Sequence, residues 1–196
     1  MLVREVMTAP VVTVPAGSTI REAVRLLYER NITAAPVLDQ RGRMTGIVSE
    51  IDLLRGEFEP DPRASVGTAA SPGTPPATVE EVMTSDVRTA RETDDALELV
   101  NLMIRTRVKS VPVVRDGAVI GIVSRRDLMR MLAHGDERIR EDVLAALEAA
   151  AVGGTATTRV AVRDGIVELY GEDDPPGIAD VIARTVPGVV RVVRHR

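Results

Sequence analysis

The sequence predicts an α/β (α+β) chain: two copies of a βαββα unit, followed by a small αββαβ domain. Three observations carry this. One set of motifs occurs twice in the same order, and the apolar spacing inside each copy switches between strand and helix periods. The C-terminal stretch has an element order of its own.

The repeat is direct. Val3-Arg4-Glu5-Val6-Met7-Thr8 recurs as Val79-Glu80-Glu81-Val82-Met83-Thr84, and Ala35-Pro36-Val37 as Val111-Pro112-Val113. Gly46-Ile47-Val48-Ser49 recurs unchanged as Gly121-Ile122-Val123-Ser124, and Asp52-Leu53 as Asp127-Leu128. The spacing differs by one residue, lost in the turn at Gly117 relative to Gly42.

Within the first copy, Val11-Val12-Thr13-Val14 is a β-rich run closed by Pro15. Ile20, Ala23, Val24 and Leu27 then fall on one helical face, and Thr19 with Glu22 forms a capping box at its start. Ala35 to Leu38 is a strand, Arg41-Gly42 a turn, Met44 to Val48 a second strand, and Ser49 opens a helix to Arg55. In the second copy the long helix spans about 95–105, with Leu99, Leu102 and Met103 on one face. Asp116-Gly117 makes its hairpin turn. The segment 57–77, with Pro60, Pro62, Pro72, Pro75 and Pro76 among small residues, reads as a flexible linker. Each unit of about 55 residues is marginal alone, so the two are expected to share a core.

After the second copy, Gly135 reads as a helix C-cap. Ile139, Val143, Ala146, Leu147 and Ala150 mark a new helix, which Gly153-Gly154 breaks. Val160 and Val162 alternate with Arg159 and Arg163, Asp164-Gly165 turns the chain, and Ile166 to Tyr170 is the partner strand. A short helix from Ile178 to about Thr185 and a last strand, Val189 to Val193, complete the order.

Composition excludes several functions. The chain has no cysteine, so disulfides and thiolate chemistry are out. A net charge of −4 argues against nucleic-acid binding, and three aromatic residues (Tyr28, Phe58, Tyr170) make no stacking platform. Mean hydropathy is +0.05, and no apolar run reaches the ~18 residues a membrane helix needs. The N-terminus lacks signal-peptide features, so a cytoplasmic protein is expected. Lys109 is the only lysine, an arginine bias that reads as the codon usage of a GC-rich bacterium. His134 and His195 lack partners at metal spacing, and no nucleophile elbow, P-loop or dinucleotide fingerprint occurs. No catalytic residue, metal or required cofactor is expected. Glu172-Asp173-Asp174 before Pro175-Pro176 reads as a solvated turn.

The paired units resemble CBS domains, the regulatory modules named after cystathionine β-synthase. The resemblance rests on Val-Met-Thr at each start, the apolar-Pro-Val strand, and Gly-Ile-Val-Ser-x-x-Asp-Leu at each end, over residues 1–56 and 78–134. The segment 136–196 is similar to a BON domain, through Asp164-Gly165-Ile166-Val167-Glu168-Leu169-Tyr170-Gly171 and Pro187-Gly188-Val189-Val190-Arg191-Val192. Its stretch from Gly171 to Pro187 is shorter than the BON pattern. The first resemblance implies two units packed about a pseudo-twofold axis, clefts for AMP, ADP, ATP, S-adenosylmethionine or related adenosyl ligands, and homodimerisation into a flat disc. It also implies a regulatory rather than catalytic role. BON domains imply contact with a protein partner or a phospholipid surface, which the basic residues Arg184, Arg191, Arg194, His195 and Arg196 suit weakly.

Ser49 with Asp52 and Ser124 with Asp127 match the family's ligand motif. An ionised carboxylate accepts from the vicinal hydroxyls of a ribose, and a serine at a helix N-terminus donates to phosphate. The same spacing is also a plain helix cap, and both readings stay open. Gly46 and Gly121 permit close backbone approach. Adenine contacts are expected from Ala9, Pro10, Ala35 and Pro36 in the first unit and Asp86, Val87, Val111 and Pro112 in the second. Lys109, Arg125 and Arg126 are candidate phosphate partners. Lys109 aligns with Thr33 and Asp86 with Pro10, so one strong site and one weak or empty site are expected. The competing reading is a ligand-free scaffold.

Overall fold

The computed structural model describes residues 1–55, 76–150, 159–171 and 177–195. Most of the expected linker 57–77, the Gly153-Gly154 break and the acidic run 172–174 lie outside the described residues. In chain order the elements are β1 (Val14–Pro15), α1 (Ile20–Glu29), β2 (Ala34–Leu38), β3 (Met44–Ser49) and α2 (Glu50–Leu53). The second copy gives β4 (Ala90–Arg91), α3 (Ala96–Thr106), β5 (Ser110–Arg115), β6 (Ala118–Ser124) and α4 (Arg125–Leu132). Then follow α5 (Asp136–Ala150), β7 (Arg159–Arg163), β8 (Ile166–Tyr170), α6 (Ile178–Ala183) and β9 (Arg191–His195). Short 3-10 turns at Val3–Glu5 and Val79–Glu81 precede the two copies. The βαββα, βαββα, αββαβ order stands. The expected strand from Val11 shrinks to Val14–Pro15, because only these residues pair with β2.

The chain forms two compact units. One comprises Thr8–Arg91 and Ser110–Ile122. In it β1 runs parallel to β2, and β2 antiparallel to β3, with Ala35 opposite Val48 and Pro36 opposite Ile47. A proline inside a sheet normally costs a ladder bond. Here Ile47 gives both its N–H and its C=O to Thr84, each at 2.9 Å, so its pairing with Pro36 needs neither. Helix α1 buries Ile20, Ala23 and Leu27 and is capped at Thr19, as the spacing predicts, but Val24, expected on the same face, is exposed. These residues share a core with Val14, Ala35, Val37, Val48 and Leu53, and with Val79 and Val82 from the opening turn of the second copy. Sheet β4-β5-β6 repeats the strand order of β1-β2-β3. The turn at Asp116-Gly117 has positive φ at both residues (51° and 80°), as a type I′ turn requires.

The other unit comprises Met1–Met7, Glu92–Lys109 and Val123–Arg196. Helix α3 buries Ala96, Leu99 and Met103. In the C-terminal part, β7 and β8 form a hairpin through Asp164-Gly165 (φ 52° and 73°), and β9 lies parallel to β8. Ile139 and Val143 of α5 pack on Val160, Val167, Leu169, Ala179, Ala183 and Val186. Gly135 is not the left-handed C-cap expected. Its carbonyl accepts from Ile139 N at 3.1 Å, so it begins α5 instead. Asp136 beside it accepts from the amides of Asp164 (2.8 Å) and Gly165 (2.9 Å), tying the start of α5 to the hairpin turn.

Each copy's opening segment bonds to the other copy. Val3 N reaches Asp94 O (2.9 Å), Arg4 N reaches Glu92 O (3.0 Å) and Ala96 N reaches Met1 O (3.0 Å). The equivalent positions do the same: Val79 N to Ser18 O (2.9 Å), Glu80 N to Ala16 O (3.3 Å) and Ile20 N to Ala77 O (3.4 Å). Thr8 bridges Ile122 as Thr84 bridges Ile47. Val3 and Val79 are fully buried by this exchange.

Candidate functional site

Both Ser-x-x-Asp motifs sit where a strand gives way to a helix. Ser49 ends β3 at the N-cap position of α2, and Ser124 ends β6 at the N-cap position of α4. Extended backbone at the serine followed by helical backbone turns its N–H and hydroxyl toward the carboxylate three residues on. Asp52 Oδ2 accepts from Ser49 N (2.9 Å) and Ser49 Oγ (2.5 Å). Asp127 Oδ2 accepts from Ser124 N (2.8 Å) and Ser124 Oγ (2.5 Å). Both aspartates thus satisfy the serine amide, but only Ser124 Oγ accepts in return, from Asp127 N at 3.3 Å; the Ser49 side chain makes no cap bond to its helix.

The two carboxylates then differ. Asp52 is half-buried, and among the described residues its Oδ1 has no partner. Asp127 is buried, and its Oδ1 meets Arg130 in an ion pair. Arg130 was not singled out in the sequence, although a cation three residues after an acid on a helix is a readable signal.

The backbone fixes which positions of the two copies correspond. Glu50 N donates to Thr33 O and Arg125 N to Lys109 O, both at 3.0 Å. Thr33 thus matches Lys109, Glu50 matches Arg125, and Ile51 matches Arg126. Arg125 is not a free cation: its guanidinium donates to Arg107 O (2.9 Å) and Val108 O (3.3 Å), closing the turn after α3. Lys109 and Arg126 are exposed.

The glycines serve the protein's own packing. A Cβ on Gly46 would lie 2.5 Å from Met83 Sδ and 2.9 Å from Thr84 O, so the close approach is by the second copy's opening segment. Gly121 precedes Ile122, which is bridged to Thr8 in the same manner. This exchange regroups the other candidates. Ala9 and Pro10 follow the segment bonded to β6, and Asp86 and Val87 follow the segment bonded to β3. Each pair therefore joins the copy opposite to the one its sequence position suggests. Ala35, Pro36, Val111 and Pro112 are buried strand residues. Ala9, Pro10 and Asp86 are exposed and Val87 is half-buried, with Asp86 3.8 Å from Arg88.

In the basic C-terminal tail, Arg194 bonds Asp180 (2.7 Å) and Gly171 O (3.0 Å), and His195 stacks on Tyr170 at 4.6 Å. Arg184 and Arg191 are exposed, and Arg196 lies outside the described residues. Among the described residues no cluster of histidine and carboxylate side chains has metal-site geometry, and no helix is long and apolar enough to cross a membrane.

Comparison with known proteins matches the CBS-domain family model at residues 3–59 and 79–134. A solved CBS domain pair in complex with 5′-methylthioadenosine and S-adenosyl-L-methionine is 28% identical, with a TM-score of 0.55, covering 67% of this chain and 94% of that one. The CBS domain of a CBS-domain-containing membrane protein from Sphaerobacter thermophilus is 30% identical, with a TM-score of 0.53, over 66% of this chain and 86% of that one. An L-aspartate semialdehyde sulfurtransferase of Methanocaldococcus jannaschii is 29% identical over 66% of this chain, but the match spans only 23% of that enzyme. The family model covers the paired repeats and stops at residue 134.

Proposed function

Because the chain belongs to the CBS-domain family, whose domains are regulatory rather than catalytic, we propose that it is a sensor binding an adenosyl ligand at its Ser-x-x-Asp motifs. The observation that carries the reading is a serine hydroxyl 2.5 Å from its aspartate in both copies. The CBS pair solved with two adenosyl compounds supports the ligand. In this reading the aspartate accepts from the ribose hydroxyls. Ligand occupancy is transmitted to a partner or to residues 136–196, which keep their BON-like reading as a partner-binding domain in the cytoplasm.

Two helix faces favour self-association. Tyr28 is 86% exposed and Leu54 47% exposed, and the equivalent positions in the second copy hold Ile104 and Met129, each 68% exposed. An apolar surface that recurs in both copies suits isologous pairing with a second copy of the chain. Sedimentation should give a dimer, and Tyr28→Glu with Ile104→Glu a monomer.

Thermal unfolding with AMP, ADP, ATP, 5′-methylthioadenosine and S-adenosylmethionine tests the ligand. A ligand at about 100 times its Kd adds ~2.7 kcal/mol to the folded state, a rise of about 5–10 °C for this size. Asp52→Asn or Asp127→Asn should abolish the rise at its own motif while keeping a capping oxygen. No rise with any of these ligands at millimolar concentration sinks the reading in favour of a ligand-free scaffold.

A further inference from the structure

We infer that the two motifs are sorted by ligand charge: phosphate-bearing adenosyl ligands go to the Ser124–Asp127 motif alone, and the Ser49–Asp52 motif takes adenosyl ligands without phosphate. The inference rests on the sensor reading and adds to it a ligand class for each motif. At the three positions matched by the backbone bonds, the second copy presents Lys109, Arg125 and Arg126, and the first presents Thr33, Glu50 and Ile51. Arg125 is held by the carbonyls of Arg107 and Val108, which leaves Lys109 and Arg126, among the described residues, as the free cations of these three. Lys109 and Arg126 are exposed and, among the described residues, enter no ion pair, so both are available to a ligand anion.

Helix length acts in the same direction. Helix α4 has eight residues and adds its own positive N-terminal field, whereas α2 is a four-residue turn with little macrodipole. Its first residue, Glu50, places a negative charge where the second copy has none. The exchanged segments do not reverse the contrast. The one bonded to β3 brings Asp86 together with Arg88, so it adds no net charge at that motif. A sulfonium or uncharged adenosyl thioether carries no phosphate for Glu50 to oppose. Arg130 pairs with Asp127 Oδ1 and orients the carboxylate beside the cations.

Calorimetric titration of the full chain with AMP and with 5′-methylthioadenosine tests this. AMP should saturate at one equivalent per chain and weaken as salt rises. Arg126→Glu, an exposed substitution, should lower the ratio of AMP to 5′-methylthioadenosine affinity by about tenfold or more. Glu50→Arg should raise the AMP stoichiometry toward two. Two equal AMP equivalents on the wild-type chain, or an unchanged affinity ratio in Arg126→Glu, overturns the sorting and leaves the sensor intact. If neither compound binds the wild-type chain, the sensor reading falls and the sorting with it.

Discussion

Replacing Gly46 by alanine puts a methyl group into a space already occupied. The new carbon would lie 2.5 Å from Met83 Sδ and 2.9 Å from Thr84 O. The thioether can swing aside, but the carbonyl cannot, because it accepts from Ile47 N at 2.9 Å while Thr84 N returns a bond of the same length. Relief means opening that bridge. Two exchanged bonds are worth about 1–3 kcal/mol net, and overpacking a tight site costs a similar ~1–3 kcal/mol. We expect a loss of about 2 kcal/mol, a fall in Tm of about 4–8 °C for a chain of this size. Gly17→Ala is the matched control: nothing lies within 4 Å of its added carbon, so no loss is expected. Differential scanning calorimetry of both variants decides it. If Gly46→Ala melts with the wild type, the tight docking of Met83 and Thr84 on β3 is not what the glycine is for.

Val79→Ala removes two methyl groups from a fully buried position in the core of the opposite copy and should cost about 2–3 kcal/mol, read by urea denaturation. Asp136→Ala should free the amides of Asp164 and Gly165 to exchange with solvent faster while β8 stays protected, read by hydrogen exchange. The Glu22 carboxyl is held below its usual range, first by the Thr19 amide and then by the Thr19 hydroxyl. Its contribution is present above the unfolded pKa near ~4.3 and is lost as pH falls through the lower folded value. Thr19→Val should raise the Glu22 midpoint, followed by NMR. Glu168 pushes the Tyr170 phenol up by accepting its hydrogen bond at 2.7 Å, so Glu168→Gln should bring the Tyr170 titration down.

What the sequence disclosed was whatever depends on near neighbours. Thr19 and Glu22, Ser49 and Asp52, and Asp116-Gly117 each satisfy or turn the chain within four residues, and each appears as expected. The repeat disclosed the fold because a doubled pattern averages out local noise. The sequence did not disclose where Val3 and Val79 would be buried. Their apolar character says only that they must leave water, and the partner strand lies some ninety residues away for Val3 and sixty for Val79. The same distance hid the regrouping of Ala9, Pro10, Asp86 and Val87. Gly135 misled because a glycine between two helices serves the end of one or the start of the next equally well.

The exchanged segments also set an order for synthesis on the ribosome. The first copy emerges with its sheet and α1 but lacks Val79 and Val82, which complete its core. At ~5–20 residues per second the nascent chain waits seconds with that core open. Met1 to Met7 wait longer, with no docking site until Asp94 and Asp95 follow them out. The first copy cannot finish folding before the opening turn of the second has been made. A gene fragment ending at residue 56 would encode a core with a hole and a loose end carrying the plug for a partner it lacks. Adding the second half in trans is the direct way to close both.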